Sequence, residues 1–101
     1  MEIRPIATLE VAAQADFYRV KATESLANRW LAAVTATTRT LRTSPGRGNL
    51  FPSTRPTLQG IRRISVEGFP NHFLFYRVTA ATRTVIVMRM LHGVRDLESL
   101  L

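Results

Sequence analysis

The sequence contains no cysteine, a single lysine and no long apolar run. Without cysteine, a disulfide framework, a thiolate nucleophile and a sulfur-ligated metal site are all excluded. A reducing cytoplasm is therefore the expected compartment. No apolar stretch approaches the roughly 18 residues that a membrane-spanning helix needs. The first residues also lack the basic-then-apolar pattern of a secretory signal, so we expect no membrane association.

The common catalytic motifs are missing as well. Neither His72 nor His92 lies in an HExxH pattern, and the sequence has no GxSxG nucleophile motif. Gly46-Arg47-Gly48 is too short for a phosphate-binding loop and indicates a turn. No spacing typical of metal ligands occurs. We therefore expect neither a cofactor nor a metal.

Charge of one sign dominates the chain. It carries 14 cations against 7 acids, a net charge of +7, and because Lys21 is the only lysine, 13 of the cations are arginine. The planar guanidinium of arginine pairs bidentately with phosphate and carboxylate groups. An excess of this size predicts a polyanionic or acidic partner. The alternative is an arginine-rich surface that water alone solvates.

The pattern of apolar residues predicts one domain spanning residues 1–101. Alternation over residues 2–6 predicts a short strand, and a helix capped by Thr8 follows to about Lys21. The residues at helical spacing in it are Leu9, Ala12, Ala13, Asp16, Phe17 and Val20. A second helix over residues 23–43, capped by Thr23, ends before Pro45.

The remaining residues predict a loop and three strands. Residues 44–59 are rich in proline and glycine, and strands follow at residues 61–67, 72–79 and 84–91. Strands joined by such short turns pair antiparallel. The predicted fold class is α+β, in the order β-α-α-β-β-β, with a helical hairpin on one face of a mostly antiparallel sheet.

Alternation along the last three strands predicts which side chains share a face. We expect the helix-facing set to be Ile64, Val66, Leu74, Val78, Ile86 and Met88. The opposite face would then gather Arg63, Arg77 and Arg89 beside Phe73, Phe75, Val85 and Val87. A lone domain rarely exposes a contiguous apolar patch, so we expect a partner or the 44–59 loop to cover this face, unless the sheet is strongly coiled. An apolar basic face suits a peptide better than naked nucleic acid. We therefore expect a peptide partner before direct nucleic-acid binding.

A metal-free ribonuclease site is a further hypothesis. Such a site needs a general base, a general acid and fixed cations around the phosphate. The residues that could supply these groups are Glu67, Arg63, Arg77, Arg89 and His92. The alternative is that these residues form only surface ion pairs, each of which contributes little.

Four segments together carry a resemblance to a known family. They are Glu24-Ser25-Leu26-Ala27-Asn28-Arg29-Trp30, Gly60-Ile61-Arg62-Arg63, Phe75-Tyr76-Arg77-Val78 and Arg89-Met90-Leu91-His92-Gly93-Val94-Arg95-Asp96. In this order the sequence resembles the RelE/ParE superfamily of bacterial toxins over essentially its whole length. The last segment is similar to the Leu-His-Gly-containing signature of the ParE branch.

The resemblance implies the toxin of a type II toxin–antitoxin system. A ParE-type toxin inhibits DNA gyrase without hydrolytic chemistry, blocks replication, can stabilise plasmids and is neutralised by a ParD-like antitoxin. The expected target-contacting residues are Arg63, Arg77, Arg89, His92, Arg95 and Asp96. The expected antitoxin-binding residues are Phe73, Phe75, Val85, Val87, Arg77 and Arg89.

Two alternatives stay open. One is a RelE-type, ribosome-dependent mRNA endoribonuclease that uses the five ribonuclease candidates above. The other is a decayed toxin whose gene pair serves only as an addiction or regulatory module.

Overall fold

A computed structural model of the chain describes residues 1–93 and residue 101. Its elements are β1 (Glu2–Ile3), α1 (Pro5–Lys21), α2 (Glu24–Thr43), β2 (Asn49–Leu50), β3 (Arg62–Val66), β4 (Phe69–Val78) and β5 (Val85–His92). Two short 3-10 turns lie at Pro45–Arg47 and Pro56–Leu58. The predicted residues Arg95 and Asp96 lie outside the described residues.

The five strands form one sheet in the order β1-β5-β4-β3-β2. β1 runs parallel to β5, and the other neighbouring strands are antiparallel. The two helices pack together over one face of the sheet. The predicted α+β fold with a helical hairpin on a mostly antiparallel sheet is confirmed; the short strand β2 is an addition to it.

The two helices differ in how well their starts follow from the sequence. Thr23 caps α2 as predicted, since its hydroxyl accepts the N–H of Leu26 at 3.0 Å. The predicted cap at Thr8 is wrong, because α1 already begins at Pro5. Proline suits the first position of a helix, where its fixed φ is helical and its missing N–H is not needed. For the same reason the first strand ends at Ile3.

The buried face of α1 is formed by small side chains. Ala7 and Ala15 are buried, whereas Leu9, Phe17 and Val20 are 69%, 55% and 78% exposed. The large residues noted at helical spacing in α1 therefore face solvent instead of the core. Alanine lets the helix backbone approach its neighbours closely, and the ring of Trp30 from α2 fills the space between them. Trp30 is fully buried and its Nε1 donates to the Val11 carbonyl at 3.0 Å.

A β-bulge changes which residues of β5 face the helices. Phe75 pairs with Arg89 but Tyr76 pairs with Val87, so Met88 is an extra residue between them. An extra residue moves the alternation of one strand relative to its neighbour. The predicted faces of Val85 and Val87 are wrong, because both are buried in the core under the helices. The predicted helix-side position of Met88 is wrong too, since it packs on the opposite face.

The other face of the sheet is covered in part by the segment that precedes β3. Phe51, Leu58 and Ile61 pack against Phe75, and the rings of Phe51 and Phe75 lie 5.5 Å apart. Phe75 is fully buried as a result. The predicted cover by the 44–59 loop is therefore present in part, and Phe75 is not accessible to a partner. Arg77, on the same face, helps to hold this segment by donating to the Thr57 carbonyl at 2.9 Å.

An ion pair fastens α1 to the bulged part of β5. Arg89 donates through Nε and Nη2 to both carboxylate oxygens of Glu10, with a shortest distance of 2.6 Å. The same carboxylate accepts the backbone N–H of Met90 at 3.1 Å. The two side chains are only 24% and 21% exposed. Hydrogen bonding to Glu10 raises the pKa of Arg89 above its ordinary value. Arg89 is thus engaged within the fold.

We predict that Glu10→Ala lowers the free energy of unfolding by about 2–3 kcal/mol, because it removes the partly buried ion pair with Arg89 and the acceptor of the Met90 N–H. Urea denaturation of the purified chain measures this change. The matched control is Asp16→Ala, which removes the exposed ion pair with Arg19 and should cost well under about 1 kcal/mol. Equal losses in the two variants would contradict a special role for Glu10.

Candidate functional site

A polar cleft of about 610 Å³ lies between the C-terminal half of α2, the segment before β2, and β3. Polar side chains and two arginines dominate its walls. The lining residues are Thr37, Thr40, Arg47, Gly48, Asn49, Arg63, Ile64, Ser65, Glu67 and Phe73. Three of the residues predicted from the sequence, namely Arg63, Glu67 and Phe73, meet in this cleft.

Tyr76 fixes the wall of the cleft that residues 45–48 form. Its buried hydroxyl donates to the Pro45 carbonyl at 2.7 Å and accepts the N–H of Gly48 at 2.8 Å. Burial raises the pKa of Tyr76, outweighing the hydrogen bond from Gly48 and the nearby charge of Arg62. The phenol therefore stays protonated and able to donate at neutral pH.

Arg62 and Gly48 complete this attachment. Arg62 Nη1 donates to the Gly48 carbonyl at 2.7 Å and to the Gly46 carbonyl at 3.3 Å. A Cβ on Gly48 would lie 2.6 Å from the Tyr76 hydroxyl and 2.7 Å from the Arg63 carbonyl. Only glycine permits so close an approach. Arg47, between the two glycines, is held at the mouth of the cleft in consequence.

The guanidinium groups of Arg47 and Arg63 in the cleft are available to bind an anion. The guanidinium of Arg63 lies 5.1 Å from the ring centre of Phe73 and 5.6 Å from that of Phe51, within cation–π range. Within the part of the chain that the structure describes, neither Arg47 nor Arg63 forms a salt bridge. Two arginines, one of them packed against aromatic rings, can bind a carboxylate or a phosphate.

One edge of β3 is open beside the cleft. β2 pairs only with Arg62 and Arg63, so residues 64–66 have no strand on their outer side within the described chain. The backbone N–H of Glu67 is bonded at 3.0 Å to the Thr37 hydroxyl. An unpaired strand edge can accept an extended peptide from another protein.

The two histidines form a stacked pair at the far end of β4 and β5. Their ring centres are 4.5 Å apart, and His72 also lies 4.9 Å from the ring centre of Trp30. His72 is 7% exposed, whereas His92 is exposed. Burial lowers the pKa of His72, and the neighbouring His92 lowers it further. The Tyr18 hydroxyl is 3.5 Å from His72 Nε2.

The five ribonuclease candidates do not gather around one point. Arg63 and Glu67 line the cleft, Arg77 binds the Thr57 and Gln59 carbonyls on the second face, and Arg89 is engaged by Glu10. His92 stacks on His72 at the end of β5. Among the described residues no group of three or more His, Cys, Asp or Glu could hold a metal ion.

Sequence patterns do not predict that Arg47 belongs to the site or that Tyr76 positions it. Gly46-Arg47-Gly48 indicates only a turn when taken alone, and its place beside Arg63 depends on the hydrogen bond from Gly48 to Tyr76, 28 residues later. The one available signal is the pair of glycines flanking a cation, which is common in turns and carries little information.

Comparisons with known proteins give one family and one fold. The family model described as the ParE toxin of the type II toxin–antitoxin system parDE matches residues 2–97. No curated protein matches the sequence at a significant level. Among solved structures, a chain of the chromosomal ParDE toxin–antitoxin system from P. aeruginosa is similar at a TM-score of 0.73 and 18% identity. That match covers 92% of this chain and 94% of the other. None of the described helices has the length and apolar character to cross a membrane.

We predict that Gly48→Ala displaces the wall of the cleft and destabilises the chain by about 1–3 kcal/mol, as overpacking does elsewhere. Thermal unfolding measures the loss. Gly46→Ala is the control, because nothing lies within 4 Å of its added Cβ. If both variants melt at the temperature of the unchanged chain, the close contact between Gly48 and Tyr76 is absent in solution.

The histidine pair predicts a pH dependence of stability. The pKa of His72 is lower in the folded chain than its ordinary value of 6.5, so the folded state favours the neutral ring. The stabilisation is complete above that ordinary pKa and is lost as the pH falls below it, by at most about 1.4 kcal/mol per pH unit. Urea denaturation between about pH 7.5 and pH 5.5 measures it, across the ordinary histidine pKa of about 6.5.

The variants His72→Phe and His92→Gln make this measurement specific. His72→Phe keeps a ring among Tyr18 and Trp30 and should flatten the dependence. His92→Gln removes the neighbouring charge but not the burial of His72, so it should only reduce the dependence. An unchanged slope in His72→Phe would assign the effect to other groups.

Proposed function

The chain belongs to the ParE toxin family of type II toxin–antitoxin systems, and on that premise we propose that it inhibits DNA gyrase and is neutralised by a ParD-like antitoxin. The observation that carries the proposal is the family match, which spans residues 2–97. A gyrase inhibitor acts in the cytoplasm, and the absence of cysteine suits that compartment.

The arrangement of charged residues favours binding over hydrolysis. A metal-free nuclease needs its acid, base and cations within reach of one phosphate. In the described chain, Arg89 is engaged by Glu10, and Arg77 is engaged by backbone carbonyls on the second face. Only Arg63 and Glu67 of the five candidates share a cleft. These placements support a toxin that acts by contact with its target.

The arginine cleft is the surface that best fits an acidic partner. Among the residues that the structure describes, Arg47 and Arg63 form no salt bridge, and residues 64–66 of β3 have no strand on their outer side. Phe73 gives the cleft an apolar wall. An extended antitoxin segment can pair with this edge and place a carboxylate between the two arginines. The net charge of +7 accelerates the encounter with such a segment.

The residues proposed for target and antitoxin contact change accordingly. We retain Arg63, Phe73 and the exposed His92, and we add Arg47. Val85, Val87 and Phe75 are omitted because they are buried within the chain. Arg77 and Arg89 are proposed to act by holding the fold in place, since hydrogen bonds within the chain already engage both.

We predict that the purified chain inhibits supercoiling by gyrase and that Arg63→Ala weakens this inhibition about tenfold or more, which corresponds to about 1.4 kcal/mol of lost contact energy. A supercoiling assay with a titration of each variant measures the change. The matched control is Arg29→Ala, which removes an equal charge from the exposed start of α2.

A ribosome-dependent mRNA cleavage assay on the same preparations tests the alternative. The alternative is supported if the unchanged chain cleaves mRNA but does not inhibit gyrase, and if Glu67→Gln abolishes the cleavage. That result would show that the chain is a ribonuclease and not a gyrase inhibitor. Equal inhibition of gyrase by Arg63→Ala and Arg29→Ala would instead retain the target and reject the cleft as its contact surface.

A further inference from the structure

Exposed apolar side chains are concentrated at the start of the chain. Among the described residues, eight large apolar side chains are exposed, and six of them lie within the first 20 residues. Four of these six belong to α1, namely Ile6, Leu9, Phe17 and Val20. An exposed apolar patch on one element is a common mark of an interaction surface.

These four residues form one straight stripe with Ala13 at its centre. At 3.6 residues per turn, positions 6, 9, 13, 17 and 20 fall within an arc of about 80° and extend over about 21 Å. Ala13 is exposed like the others. The stripe is also symmetric in sequence, because Leu9 and Phe17 each lie four residues from Ala13, and Ile6 and Val20 each lie seven residues from it.

The charge around the stripe differs from that of the rest of the chain. Residues 1–24 contain three cations and four acids, a net charge of −1, whereas residues 25–101 contain eleven cations and three acids. Apart from Lys21, the charged side chains of α1 are paired: Asp16 and Glu24 both bind Arg19, at 2.6 and 2.9 Å, and Glu10 binds Arg89. This surface therefore lacks the positive charge that would make two copies of the chain repel each other.

We propose that the stripe binds a second copy of this chain, with the two α1 helices antiparallel across a two-fold axis at Ala13. In that arrangement Leu9 meets the partner's Phe17, and Ile6 meets the partner's Val20. The small side chain of Ala13 lets the helices approach closely at the axis, at about 8–10 Å between helix axes. A residue contacting its reciprocal position is the rule for an isologous interface.

The interface area of the proposed dimer is small. One helix face offers less than the roughly 800 Å² per partner of a standard interface. We therefore expect a small, reversible interface, and the dimer forms with or without gyrase inhibition. Its charge pattern also separates it from antitoxin binding, since an acidic segment is drawn to the arginine-rich remainder of the chain.

The absence of cysteine makes a crosslinking test specific. In Ala13→Cys the two introduced thiols meet at the proposed axis, within the roughly 3.5–4.5 Å between Cβ atoms that a disulfide requires. Ala12→Cys is the control, because Ala12 is also exposed on the same helix but is turned about 100° away. Under mild oxidation, Ala13→Cys should form a crosslinked dimer about tenfold faster or more than Ala12→Cys, because only its sulfurs meet the geometry. Equal rates would overturn the proposal.

Charge substitutions test the antiparallel register. Leu9→Lys and Phe17→Glu should each weaken dimerisation about tenfold or more in sedimentation equilibrium, because each places a charge against an apolar side chain. An equimolar mixture of the two variants should recover a heterodimer, since Lys at position 9 then meets Glu at position 17. Circular dichroism checks that these exposed substitutions leave the fold intact. Failure of the mixture to associate would overturn the proposed pairing.

The remaining outcomes also decide the proposal. A chain that stays monomeric at several hundred micromolar has no such dimer. A monomeric chain whose Ala13→Cys thiol is protected from alkylation only after antitoxin is added would assign the stripe to the antitoxin, and self-association would be wrong. Gyrase inhibition is read separately, so its failure is distinguishable from the failure of the dimer.

Discussion

The carboxylate of Glu10 holds α1 against the sheet where the sheet is irregular. β1 accompanies β5 only as far as Val87, and the extra residue Met88 then interrupts the pairing of β5 with β4. Glu10 accepts the Met90 N–H at this place and binds the Arg89 guanidinium as well. Because α1 buries mainly alanine, this polar contact substitutes for the long apolar side chains that would otherwise anchor a helix. Val11 and Tyr18 of α1 pack partly against the core, whereas Ile6, Leu9, Phe17 and Val20 face outward.

The sequence predicts the elements of this fold better than it predicts their faces. The cap at Thr23, the end of α2 before Pro45 and the three final strands all follow from local chemistry. The bulge at Met88 does not, because an extra residue in an apolar strand leaves no local mark. Alternation therefore assigned Val85 and Val87 to the wrong face. The early start of α1 at Pro5 shows the same limit, since proline fits both the edge of a strand and the first turn of a helix.

The candidate site also contains residues that the sequence predicts and residues that it does not. Arg63, Glu67 and Phe73 come together because they lie on paired strands, which sequence alternation can anticipate. Arg47 joins them only through the contacts of Gly48 with Tyr76 and Arg62, which span 28 and 14 residues. The cover over Phe75 has a similar origin in long-range packing by Phe51 and Leu58. Contacts of this kind depend on the whole fold, so a local pattern cannot predict them.

The separation of charge along the chain gives the two proposed surfaces different partners. The residues that line the arginine cleft come from α2 onward, and none of them belongs to α1. The stripe on α1, by contrast, lies in the first 24 residues, where four acids outnumber three cations. A dimer formed through the stripe would use no residue of either cleft, so each protomer could still bind its own acidic segment. Association of two toxins and neutralisation by antitoxin would then be compatible, because opposite charges drive one and apolar contact between nearly neutral surfaces drives the other.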